Sequence, residues 1–140
     1  MNLMNIRLKV YSDGGARGNP GPAAIAFMIL SQNGEVLIEN SRYVGVRTNN
    51  QAEYEALIAA LECAVGFGSE EVFCHLDSEL VVKHLTGEYA VKNPALKKLW
   101  KRVQELKKCF RRISFENVAR TNEHIQKADK LVNETLDANS

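Results

Sequence analysis

The sequence predicts an α/β domain: a five-stranded mixed sheet that opens as an antiparallel three-strand meander, gains two further strands, and is flanked by helices. Three observations carry this. Apolar residues alternate at period two through the first third of the chain, around an Asn33-Gly34 hairpin turn. The period then changes to that of a helix from Gln51 onward. Each of the two later strands is reached only through helical segments, the pattern of crossover connections.

Element by element, Ile6, Leu8 and Val10 alternate with polar neighbours and read as a strand ending near Asp13. A turn-rich loop over 14–22 leads to a second apolar run over 23–30, and the third strand returns over 35–44. Thr48 and Gln51 have capping-box spacing ahead of a helix closed by Gly66 and Gly68. Residues 71–77 form a fourth strand and 78–87 a short helix closed by Gly87. Asn93-Pro94 opens a helix whose apolar stripe runs through Leu96, Leu99, Trp100, Val103, Leu106 and Phe110. A fifth strand over 111–118 and a last helix over 126–139 complete the order β-β-β-α-β-α-α-β-α.

The 140 residues fit one domain over 1–140, large enough to bury a core without disulfides. Net charge is +1, from 18 basic and 17 acidic residues, so any electropositive surface must be local. The nine basic residues between Lys92 and Arg112, against Glu105 alone, fit either a solvated face or a phosphate-tracking one. Cys63, Cys74 and Cys109 lie scattered in apolar runs and read as buried thiols of a reducing compartment. The first residues carry neither a signal-like run nor a membrane span, which makes the cytoplasm the expected location, and no obligate protein partner is evident. Gly15, Gly18 and Gly21 are not a dinucleotide loop: their spacing is wrong and they lead to a strand.

Four acids stand where a carboxylate is costly without a compensating cation or hydrogen bonds. Asp13 closes the first strand before two glycines, and Asp77 closes the fourth. Glu53 shares a helix stripe with Leu57 and Ala60, and Asp129 a stripe with Val132 and Leu136. Each has a plainer reading: a turn for Asp13, a helix cap for Asp77, a dipole partner for Glu53. A shared counter-ion explains all four at once. Oxygen donors without nearby Cys or His pairs point to Mg²⁺ or Mn²⁺.

Four blocks in this order are similar to the type I ribonuclease H family. They are Tyr11-Ser12-Asp13-Gly14-Gly15 with Gly18-Asn19-Pro20-Gly21-Pro22, then Thr48-Asn49-Asn50-Gln51-Ala52-Glu53, then Asp77-Ser78, then Ala128-Asp129-Lys130-Leu131 with Asn133. The stretch from Thr86 to Pro94 further resembles the compact archaeal and bacterial branch, which lacks the longer basic handle helix. The resemblance implies a ribonuclease-H-like fold. It implies endonucleolytic hydrolysis of the RNA strand of RNA–DNA hybrids, giving 5′-phosphate and 3′-hydroxyl ends. It further implies two metal ions: Asp13, Glu53 and Asp77 hold the first, Asp13 and Asp129 the second. An alternative function is a ribonuclease-H-like module that binds nucleic acid without cutting it.

By the same resemblance, Asn19, Asn49 and Asn50 face the minor groove of the hybrid, where 2′-hydroxyls mark the RNA strand. Thr48 and Asn19 suit contacts to DNA-strand phosphates, and Gly14 and Ser78 complete the substrate-binding set. Helix capping by Thr48 and Asn49 and turn formation by Asn19 remain the alternatives. Glu79 stands where many relatives carry a neutral residue that touches a base. His124 is a candidate for the histidine that assists proton transfer in many type I enzymes, and Arg120 for the arginine used instead in the compact branch. Ile125 stands where the family usually has asparagine, so the approach to Asp129 departs from the pattern.

Overall fold

In the computed structural model, which describes residues 6–68 and 70–140, the elements follow in the predicted order. They are β1 (Arg7–Ala16), β2 (Gly21–Ser31), β3 (Val36–Arg47), α1 (Asn49–Gly66), β4 (Glu71–Leu76), α2 (Glu79–Leu85), α3 (Pro94–Lys107), β5 (Arg112–Asn117) and α4 (Glu123–Ala138). The reading of a leader-free start falls on residues 1–5, outside the described residues. One five-stranded sheet has the order β3-β2-β1-β4-β5. β1–β2 and β2–β3 pair antiparallel, while β1–β4 and β4–β5 pair parallel. No helix among the described residues is long and apolar enough to cross a membrane.

Two boundaries differ from expectation for identifiable reasons. β1 does not stop at Asp13, because Asp13 to Ala16 keep pairing with Ala26 to Ala23 of β2. The Gly14-Gly15 pair is therefore strand rather than turn. α4 begins three residues before the predicted Gln126, because the Asn122 side chain accepts from the backbone N–H groups of His124 and Ile125.

Leu8, Val10, Ile25, Phe27 and Ile29 of the sheet pack with α1, α2 and α3 in the main core. α1 is buried almost all round, and its alanines (Ala52, Ala56, Ala60, Ala64) allow it to lie close to the strands. α4 lies elsewhere, with Ala128, Val132 and Leu136 against Ala24 and Ala26 of β2. Thr48 and Gln51 form the expected capping box. Of the three cysteines only Cys74 is buried. Cys63 is half-buried and Cys109 is exposed, contrary to the reading of all three as buried, because Cys109 falls just past the end of α3.

α1 and α2 are joined by a buried polar contact, 2.9 Å between the Tyr54 hydroxyl and His84 Nδ1. Burial raises the Tyr54 pKa and lowers that of His84 below 6.5, so both groups are held neutral. Tyr54→Phe should lower stability by about 1–3 kcal/mol by stranding the imidazole nitrogen, measured by urea unfolding. Because the His84 value is depressed, the stability held by its neutral form is complete above about pH 6.5. It is lost as pH falls through the lower folded-state value. A His84→Gln variant should flatten that acid limb.

Candidate metal centre

The parallel register of β1 and β4 sets Tyr11 beside His75. Asp13 and Asp77, each two residues further along, therefore come side by side at the same end of the sheet. The third acid arrives from α1. A Cβ on Gly14 would fall on the backbone of Ala52 and Glu53, so the bare glycine is what allows the helix to lie against β1. The Gly14 N–H then donates to Glu53 Oε1 at 2.5 Å. Carboxylate oxygens of Asp13, Glu53 and Asp77 all lie within 4.8 Å of one another.

Asp13 and Glu53 are each only 7% exposed. Burial, and then the charge of Asp77, push the Asp13 carboxyl up to about 7. Burial, and then the charges of Asp13 and Asp77, raise Glu53 as well, against the opposing hydrogen bond from Gly14. The cation at the cluster is Arg120, whose Nε lies 3.6 Å from Asp77 Oδ2 on a side chain that is 90% exposed. Three close, hard oxygen donors with so little compensation fit a divalent cation.

The acids line a cavity of about 650 Å³ together with Gly14, Gly15, Asn49, Asn50 and Ser78 on one side, and Arg120, Thr121, Ile125, Gln126 and Asp129 on the other. Asp129 corrects an expectation. The buried stripe of α4 is Ile125, Ala128, Val132 and Leu136, so Asp129 sits one position off it and is exposed. It stands at the rim of the cavity, outside the three-acid cluster, and its charge still raises Asp13.

His124 also differs from expectation. Its ring packs on Tyr11 at 4.6 Å between centroids and its Nε2 lies 3.7 Å from Glu123, while the residues that line the cavity do not include it. Arg120 takes the place facing the acids. Asn19 and Thr48 lie outside the lining too. The Asn19 side-chain Oδ1 accepts from the Asn49 N–H at 3.0 Å, and Thr48 caps α1. Asn49 in turn accepts from the Ala16 N–H at 2.9 Å, so the loop after β1 is fastened to the start of α1. Ser78 caps α2, and Glu79 pairs with Lys83 at 3.2 Å. Sequence reasoning missed Gln126 and Thr121 as lining residues, since their place depends on where α4 starts.

The family model described as "Reverse transcriptase-like" matches residues 11–135. The crystal structure of RNase H1 from the archaeon Halobacterium salinarum superposes with a TM-score of 0.90 at 43% identity, covering 94% of this chain and 98% of that one. This chain belongs to the ribonuclease H family. Among ribonuclease H structures, LC11-RNase H1 in complex with RNA/DNA hybrid gives a TM-score of 0.88 at 42% identity, covering 94% of this chain and 98% of that chain. The Ribonuclease HI sequence of Halobacterium salinarum is 46% identical over 132 residues, 94% of this chain. This chain spans 65% of the length of that relative, and 36% of a bifunctional mycobacterial protein to which it is 41% identical. The ribonuclease H family is metal-dependent, and this chain carries an acidic cluster of Asp13, Glu53 and Asp77.

Proposed function

We propose that the protein is a Mg²⁺- or Mn²⁺-dependent endoribonuclease that hydrolyses the RNA strand of RNA–DNA hybrids, leaving 5′-phosphate and 3′-hydroxyl ends. We further propose that residues 1–140 act as one domain and work in the cytoplasm. The observation that carries the reading is the convergence of three carboxylates within 4.8 Å at the floor of an open polar cavity. The likeness to an RNase H1 solved with RNA/DNA hybrid supports the choice of substrate.

Asp13, Glu53 and Asp77 would hold the first ion, and Asp13 with Asp129 the second. Bound ions supply an activated water and offset charge on the leaving 3′-oxygen in an in-line displacement. The chain's own part is to hold its acids in fixed positions. The Gly14 N–H orients Glu53, and Arg120 faces Asp77 from the open side. Asn49 and Asn50 line the wall of the cavity, where a minor groove with its 2′-hydroxyls would pass.

A hybrid duplex labelled on either strand, incubated with purified protein and Mg²⁺ or Mn²⁺, should lose only its RNA strand. EDTA should stop the reaction. Tight hybrid binding without cleavage under either metal would instead favour the non-cleaving module.

A further inference from the structure

The loop after β1 is joined to α4 as well as to α1. The Arg17 guanidinium Nη2 lies 2.7 Å from Asp137 Oδ1 on α4, and also donates to Asn133 through its backbone carbonyl at 3.3 Å and its side-chain carbonyl at 3.4 Å. The Asn133 amide in turn donates to Asp129, at 3.0 Å to the backbone carbonyl and 3.5 Å to Oδ2. Arg17 itself is fixed at its backbone: its N–H donates to Pro22 at 2.8 Å, and a Cβ on Gly21 would fall on its carbonyl.

Apolar contact fixes how far α4 lies from the sheet, but it is non-directional. Along Ala128, Val132 and Leu136 its floor is Ala24 and Ala26, whose short side chains interdigitate little, while Ile125 at its start packs with Tyr11, Met28 and Leu30. Beyond Ile125, directional bonds therefore help to set the helix along its axis. Those described are Thr135 to Ser41 at 3.0 Å, Lys127 to Glu39 at 3.3 Å, and the Arg17 contacts. Of these, only Arg17 reaches the residue that bonds Asp129.

We propose that Arg17 is a positioning residue for Asp129: acting through Asn133, it sets the approach of the exposed fourth carboxylate. It thereby couples that carboxylate to the loop expected to face the hybrid. This rests on the reading of Asp129 as a metal ligand. Exposed ion pairs contribute little to stability, so the role of Arg17 is geometric.

The test compares wild type with Arg17→Ala, Asn133→Ala, the double variant and Arg17→Lys. One readout is the metal midpoint of single-turnover hybrid cleavage. The other is Mn²⁺ binding to the protein, followed by loss of the free-ion paramagnetic resonance signal. Arg17→Ala should raise the cleavage midpoint about tenfold, the low end for loss of a residue supporting a metal ligand. It should weaken Mn²⁺ binding in the same direction. Its Tm should fall by less than about 3 °C. Asn133→Ala should do the same, the double variant no more than either single, and Arg17→Lys should recover part of the loss. An unchanged metal midpoint with weaker hybrid binding would make Arg17 a substrate contact and overturn the proposal. Loss of Tm with unchanged metal dependence overturns it too. If wild type cuts no hybrid, the functional reading fails, and Mn²⁺ binding by itself still decides the role of Arg17.

Discussion

Asp77→Asn should abolish cleavage while making the metal-free protein more stable. Both effects come from one arrangement. The Asp77 charge lies within 4.8 Å of two carboxylates that are already buried. At an effective dielectric near 20, like charges at about 5 Å repel by roughly 3 kcal/mol. Removing one acid therefore relieves strain that a folded, metal-free protein must bear. Protonation of Asp13, pushed up to about 7, already relieves part of it, so a net gain of about 1–2 kcal/mol is expected. The loss of the pairing to exposed Arg120 subtracts little. Cleavage should fall about a thousandfold or more, equivalent to roughly 4 kcal/mol of barrier. Thermal unfolding in EDTA, repeated in Mg²⁺, checks the coupling: wild type should gain Tm on adding metal and Asp77→Asn should gain much less. A variant less stable than wild type in EDTA would mean that the acids are held by the fold at no cost.

The parts of this site that were legible in the sequence are those set by period and register. Strand alternation and the Asn33-Gly34 turn place the meander, and the capping box places the Thr48 cap of α1, whose first turn begins two residues before the helical run read from Gln51. Once β1 and β4 are taken as parallel neighbours, Asp13 and Asp77 must meet. Glu53 follows from its stripe. The exposure of Asp129 is hard to read because it lies only about 20° in direction from Leu136 and about 60° from Val132, at the edge of the buried stripe, which a spacing argument barely resolves. The placement of His124 is hidden for a different reason. Its partner Tyr11 is distant in sequence, and no local pattern announces a ring of α4 tilted against one of β1. The continuation of β1 through Gly14-Gly15 was equally hidden, because two glycines after an acid read as a turn until the pairing with β2 is seen. In physical terms, local periodicity carried the three-acid core, and long-range packing decided everything at the rim.

Gly14→Ala should cost both stability and rate, out of proportion to the single methyl group it adds. The added carbon would fall on the carbonyl of Ala52, which is α1 backbone and not the end of a movable side chain. Either β1 bends or α1 withdraws, and most of α1's apolar residues are buried in the main core. Overpacking of this kind costs about 1–3 kcal/mol, and here it acts where catalytic spacing is set. Withdrawal of the helix lengthens the bond from the Gly14 N–H to Glu53 and carries that carboxylate away from Asp13 and Asp77. Displacements of about 1 Å at a reacting centre cost on the order of a hundredfold in rate, so cleavage should drop by at least that factor in protein that remains folded. The adjacent Gly15 is the control. A Cβ there would meet only Val132 Cγ1, at 3.8 Å, an ordinary contact, so Gly15→Ala should change stability by less than about 0.5 kcal/mol. Urea unfolding of both variants alongside single-turnover cleavage separates packing from positioning. If the two alanine variants behave alike, the close approach of α1 to β1 is not what fixes Glu53. If only Gly14→Ala loses both stability and rate, one missing methyl group is what lets a helix deliver the third acid to two strand ends.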